Sequence, residues 1–152
     1  MDLEENLREL SVWYRFILKK ETIHTADASA VSGIELHRIT KNLVSITNTG
    51  EHVVLIIPGD QRVDLKKAAD VLKVKNVKLI SFEEAEAISG YPPGATPSIG
   101  FKNKMRVVLD TELTRFETIY CGGGRRDRLL ELRVDDVIML NNTIIAPISL
   151  KS

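Results

Sequence analysis

The segment Val53-Val54-Leu55-Ile56-Ile57 is apolar at every position, with no polar residue alternating through it. A strand of this kind is buried on both faces, so a fold that contains it must supply cover on each side of a sheet. The run over residues 39–47 is rich in β-branched side chains, and Asn48-Thr49-Gly50-Glu51 between the two runs reads as a hairpin turn. Residues 64–74 place Leu65, Ala68, Ala69 and Leu72 on one helical face and Lys66, Lys67 and Lys73 outside it, which predicts a helix packed on such a sheet.

Leu3, Leu7, Leu10, Tyr14, Ile17 and Leu18 recur at helical spacing and predict an amphipathic first helix reaching Lys19, its apolar face widened by Trp13 and Phe16. Residues 27–31 predict one or two helical turns closed by Gly33. A short strand over 77–80 leads to Ser81-Phe82-Glu83-Glu84, which has the capping-box form and opens a helix that Gly90 ends. Strands are predicted over 105–109, 116–120, 129–132 and 143–148, with a short helix near 135–140. Hairpins mixed with βα units predict an α/β fold, a mixed and strongly curved sheet forming a barrel-like body with flanking helices, in a single domain over residues 1–152.

The chain balances 21 basic against 21 acidic residues. A net charge of zero argues against gripping duplex nucleic acid by bulk electrostatics, so DNA is not an expected partner. Recognition of one nucleotide end needs only a local cluster of cations. The single cysteine, Cys121, cannot form an internal disulfide, which points to a reducing, cytoplasmic setting. No signal peptide and no run approaching the ~20 apolar residues of a membrane span is visible.

Residues 90–100 read Gly-Tyr-Pro-Pro-Gly-Ala-Thr-Pro-Ser-Ile-Gly and hold three prolines and three glycines. A backbone this constrained is either a rigid surface connection or a cradle whose N–H groups receive an anion or oxyanion. Lys41 shares a strand face with Ile39 and Leu43, so its ammonium emerges in a cleft or guards a sheet edge. Gly122-Gly123-Gly124-Arg125-Arg126 follows a predicted strand and reads either as a phosphate-binding turn or as a flexible hairpin with solvated arginines. His24, His37 and His52 fit no zinc spacing, Cys121 has no CxxC partner, and no Gly-x-Ser-x-Gly elbow is present, so neither a metal nor any other cofactor is expected.

Taken in order, His24-Thr25, Ile39-Thr40-Lys41-Asn42-Leu43-Val44, Pro58-Gly59-Asp60-Gln61-Arg62-Val63-Asp64, Gly90-Tyr91-Pro92-Pro93-Gly94, Ile119-Tyr120 and Gly123-Gly124-Arg125-Arg126 resemble the family of YbaK and the editing domain associated with prolyl-tRNA synthetase. The resemblance implies a trans-acting deacylase that hydrolyses the ester between a small wrong amino acid (alanine, cysteine or serine) and the 3′ end of a tRNA, tRNA(Pro) being the expected one. A prolyl-tRNA synthetase is the implied protein partner. Lys41 then holds the phosphate of the terminal nucleotide, and the loop Gly94, Ala95, Thr96, Pro97 and Ser98 positions the ribose and the scissile carbonyl. His24, Asn42, Gly100, Gly122, Gly123, Gly124 and Arg125 complete the expected substrate contacts. Two positions depart from the family pattern: Ser98 stands where many members have proline, Pro97 lying one place earlier, and Gly122 stands where cysteine-removing relatives often have serine. The missing side chain at Gly122 is expected to leave room. The rival reading is a binding module of the same fold that captures an RNA end or a synthetase without catalysis, and a regulatory nucleotide-binding protein is the third.

Overall fold

The computed structural model describes residues 2–151, which begin with α1 (Leu3–Glu9), β1 (Tyr14–Leu18), α2 (Thr25–Ser32), β2 (Thr40–Thr47) and β3 (His52–Pro58). There follow β4 (Gln61–Val63), α3 (Leu65–Leu72), β5 (Val77–Leu79), α4 (Phe82–Ser89) and β6 (Arg106–Asp110). The chain ends in β7 (Thr118–Gly122), β8 (Arg128–Arg133), α5 (Val134–Leu140), β9 (Ile144–Ala146) and β10 (Ser149–Lys151).

The apolar run occupies β3, central in a five-stranded sheet of order β5-β2-β3-β6-β9. β3 is antiparallel to β2 and parallel to β6, and each residue from Val53 to Ile57 is 0% exposed. Val53, Leu55 and Ile57 pack with Ala68, Ala69 and Leu72 of α3 and with Ile148, while Val54 and Ile56 join Leu3, Leu7, Leu109, Leu130 and Leu132 on the opposite side. Each such side chain contributes roughly 1.5–3 kcal/mol by leaving water, which is why the run tolerates no polar residue.

A second sheet of order β1-β8-β7 covers the far side, and the parallel bridge Ile39–Tyr120 joins it to the first. β10 and β4 form a separate two-stranded ribbon. The expected barrel-like body is therefore not reproduced as a closed ring. The fold is mixed α/β with open sheets, and among the described residues no strand pair closes any of them.

The first helix stops well short of Lys19. Leu10 caps α1, Ser11 turns left-handed at φ 57, and Tyr14–Leu18 pairs residue for residue with β8. Tyr14, Phe16 and Ile17 are strand formers, and a partner strand with the matching Glu131 for Arg15, at 2.8 Å, overrides the helical spacing. Elsewhere the punctuation holds: Gly33 closes α2 at φ 76, Gly90 closes α4 at φ 90, and Asp64 caps α3 by accepting from Lys66 and Lys67 N–H. Only half of the capping box forms, because Ser81 Oγ accepts from Glu84 N whereas the Glu84 carboxylate turns to His52 at 3.2 Å. The strands β4 and β10 were not predicted from the sequence; each is three residues long, and among the described residues they pair only with one another.

Candidate functional site

β2 is paired with β3 over Thr40–Ile46, whereas β5 reaches only Ser45–Thr47 on its other edge. The first half of β2 therefore looks across a gap, and that gap is a cavity of about 480 Å³. Lys41, Asn42, Leu43 and Val44 form one wall, and Pro93, Gly94 and Thr96 of the Gly/Pro loop form another. The start of α2, Gly59, Gly122 and the opening of α4 enclose the rest.

Lys41 is the cation of this cavity. Its Nζ donates to Gln61 O at 2.7 Å, fixing the ammonium beside the turn that carries Gly59. Burial pushes its pKa below the ordinary lysine range, against the attraction of Asp60. Gly59 is required here for space, since a Cβ would sit 2.6 Å from Ile39 O and 2.7 Å from Leu36 O.

The loop is held by its own carbonyls. Ala95 O accepts from Gly124 N at 2.9 Å, Thr96 O accepts from Gly122 N at 3.1 Å and from Asn42 Nδ2 at 3.2 Å, and Arg126 Nε donates to Pro93 O at 2.8 Å. Underneath, Ser98 Oγ donates to Asn42 Oδ1 at 2.7 Å and Asn141 Nδ2 donates to Ser98 O at 2.7 Å. Ser98 is thus a buried peg whose hydroxyl does what no proline could, which gives the departure from the family pattern a local compensation. Gly94, at φ 84, lies against the Thr22–Ile23 backbone, where a Cβ would come within 2.6 Å of Ile23 Cα.

The expected cradle of N–H groups over residues 94–98 narrows. Ala95 N–H donates to Pro92 O at 3.0 Å, Pro97 has no N–H, and Ser98 N–H is directed at the Cys121 sulfur. Among the described residues, the N–H groups of Gly94 and Thr96 have no acceptor, and both residues line the cavity.

Of the expected site residues, the cavity brings together Lys41, Gly94, Thr96, His24, Asn42 and Gly122. His24 is exposed at the start of α2 and its ring caps nothing. Asn42 spends both amide hydrogens on Thr40 Oγ1 and Thr96 O, so it braces the loop. Ala95, Pro97 and Ser98 are buried behind the loop, Gly100 O accepts from Tyr91 OH at 2.8 Å, and Gly123 O accepts from Arg128 Nε. None of these lines the cavity, and neither does Gly124. Arg125 is exposed and ion-paired with Asp127 at 3.0 Å outside the cavity lining, while Arg126 ties the glycine-arginine turn to the loop through Pro93 O. The room expected at Gly122 is filled by the loop: a Cβ there would overlap the Ala95–Thr96 peptide and lie 2.6 Å from Thr96 O. Thr22, Ile23, Gly59, Leu79, Phe82 and Tyr91 also line the cavity and were not among the expected site residues. Gly59 and Tyr91 stand in segments that carry the family resemblance, and Phe82 is an aromatic outside any apolar periodicity, so these three offered a signal.

Cys121 is fully buried and burial raises its pKa to about 12, so it holds no thiolate at neutral pH. Cys121→Ala is expected to keep the turnover of the native chain within about twofold, and native Cys121 to resist iodoacetamide until the chain unfolds; a parallel loss of activity and of the thiol under iodoacetamide would overturn this. Among the described residues no three of His, Cys, Asp and Glu gather where they could hold one metal ion. No helix among them is long and apolar enough to cross a membrane.

Fold and cavity together define a mixed α/β domain whose pocket is lined by one lysine and by a rigid glycine-proline loop. The profile of the aminoacyl-tRNA editing domain matches residues 20–140, and the chain belongs to that family. It is 32% identical over 138 residues, 91% of this chain and 84% of the other, to Enterococcus faecalis EbsC, a candidate Cys-tRNA(Pro)/Cys-tRNA(Cys) deacylase. It is 28% identical over 129 residues, 82% of this chain and 77% of the other, to the multifunctional Ser/Thr-tRNA deacylase ProXp-y of Escherichia coli. The crystal structure of the hypothetical protein APE2540 superposes with a TM-score of 0.90 at 26% identity, covering 97% of this chain and 99% of that one.

Proposed function

We propose that this chain is a trans-editing aminoacyl-tRNA deacylase, a single domain that cleaves the ester of a small non-cognate amino acid from the 3′ end of a mischarged tRNA. The observation that carries the reading is the meeting of Lys41 with the Gly94–Thr96 stretch across one cavity. In this reading the Lys41 ammonium anchors the phosphate of the terminal nucleotide as a point charge. The ester carbonyl then lies against the loop, and the free N–H groups of Gly94 and Thr96 receive the negative charge that grows on its oxygen as water adds. The acyl C–O bond breaks, the amino acid leaves as its carboxylate, and the ribose oxygen takes a proton. A neighbouring ribose hydroxyl aligns the water, so positioning replaces a protein nucleophile.

Tethering one small residue in a closed pocket discriminates by size, at about 1–3 kcal/mol per methylene. The likeness to EbsC and ProXp-y favours cysteine, serine and threonine among the substrates, and tRNA(Pro) as the carrier, with a prolyl-tRNA synthetase as the source of the mischarged tRNA. The test is a panel of alanyl-, cysteinyl-, seryl- and threonyl-tRNA(Pro) with purified protein: hydrolysis of at least one above the spontaneous rate is expected. Tight binding of all four with no hydrolysis would make the chain a binding module instead.

Gly94→Val is expected to lower turnover by about two orders of magnitude, because a shift of about 1 Å in a positioning loop costs that much. The residue has no room for a side chain and sits at φ 84. Wild-type rates in a folded Gly94→Val protein would show the loop to be a connector.

A further inference from the structure

The cavity has two apolar regions of opposite character. Ala28, Ile39 and Leu129 form a closed one, all three buried, beside Gly122. Leu79 and Phe82 form an open one at the end of β5 and the start of α4, 46% and 62% exposed. Phe82 has no structural task that accounts for it. It is the first residue of α4, after the cap Ser81, and its neighbours Ile80 and Ala85 reach the core while Phe82 belongs to no core cluster. An aromatic ring left over the rim of a cavity is a surface for a planar partner.

The proposed substrate, on whose reading this inference rests, has three groups radiating from its terminal ribose: a 5′ phosphate, a base at C1′ and the ester at the 2′ or 3′ oxygen. Lys41 accounts for the phosphate and the Gly94–Thr96 stretch for the ester. The buried region suits a small acyl side chain. A flat base attached to a ribose held at the mouth requires an open face. We propose that Phe82, with Leu79 on the same open side of the cavity, is a stacking shelf for the terminal adenine, so that α4 supplies affinity for the RNA end independently of the amino acid carried. Stacking of this kind is tolerant of the acyl group and worth about 1–3 kcal/mol per base.

The test compares wild type, Phe82→Ala, Phe82→Leu and Phe82→Trp on cysteinyl- and alanyl-tRNA(Pro), with binding read separately by a tRNA(Pro) transcript carrying 2-aminopurine in place of its terminal adenine. Phe82→Ala and Phe82→Leu are expected to raise KM by about 5- to 150-fold for each hydrolysed substrate with kcat within about twofold. Phe82→Trp keeps the wild-type KM. Wild type quenches the 2-aminopurine fluorescence and Phe82→Ala does not; since Phe82 is exposed, circular dichroism stays unchanged in every variant. An unchanged KM with undiminished quenching in Phe82→Ala overturns the shelf, as does an effect confined to one amino acid, which would put the acyl side chain there. Should no aminoacyl-tRNA be hydrolysed by wild type, the deacylase reading fails while the quenching experiment still decides the shelf.

Discussion

Lys41→Ala is expected to lower kcat/KM for a mischarged tRNA by about 10- to 150-fold while the circular dichroism spectrum stays that of the native chain. A hydrogen bond to a charged group is worth roughly 1.5–3 kcal/mol, and a phosphate deprived of its cation forfeits that much on the way to the transition state. The fold survives because the lysine contributes one bond, to Gln61 O, and nothing to any of the three core clusters. Lys41→Arg restores the charge on a bulkier, planar head that does not match a point-like anchor, so partial recovery is expected. Wild-type kcat/KM in Lys41→Ala would remove the residue from the site.

The same lysine sets a pH dependence whose sign follows from its burial. Its pKa lies below the ordinary lysine value in the folded chain, so the cation that binds phosphate is lost earlier on the alkaline side than an exposed lysine would allow. Enzymatic kcat/KM, corrected for spontaneous ester hydrolysis, is expected to fall as pH rises through that lowered pKa, and the fall is displaced to higher pH in Lys41→Arg. For stability the sign is reversed: a buried ammonium is disfavoured by folding, so its unfavourable contribution is full below the folded pKa and is relieved as pH rises.

Much of this site was legible because glycine, proline and lysine mark backbone shape and charge directly. The all-apolar β3 fixed a sheet covered twice, and the loop at residues 90–100 announced a rigid main chain. What the sequence could not carry was which atoms of that chain remain free. Ala95 spends its N–H in a local turn on Pro92 O, whereas the Ser98 N–H, the Asn42 amide and Arg126 are spent on Cys121, Thr96 and Pro93, contacts between segments far apart in sequence. The first helix misled for a related reason. Residues 3–18 satisfy a helical repeat, yet Tyr14–Leu18 gains a full strand partner in β8, and that pairing exists only once the distant strand is in place.

Gly122 gives the second large effect, and it separates space from chemistry. The family resemblance makes serine at this position a natural substitution to attempt in search of a hydroxyl contact with substrate. Gly122→Ser is expected instead to cut turnover by about 100-fold or more and to destabilise the chain by about 1–3 kcal/mol, which in a protein of this size lowers Tm by about 2–4 °C for each kcal/mol. The Cβ would overlap the Ala95–Thr96 peptide, and the Gly122 N–H that steadies Thr96 O would move with it. Gly122→Ala should behave alike, since the clash belongs to the first carbon and not to the hydroxyl. The control is Cys121→Ala, one residue away in β7, for which turnover is expected to persist. Native Tm and native turnover in Gly122→Ser would mean that the loop retreats freely, and the free N–H groups of Gly94 and Thr96 would then no longer be held where an oxyanion needs them.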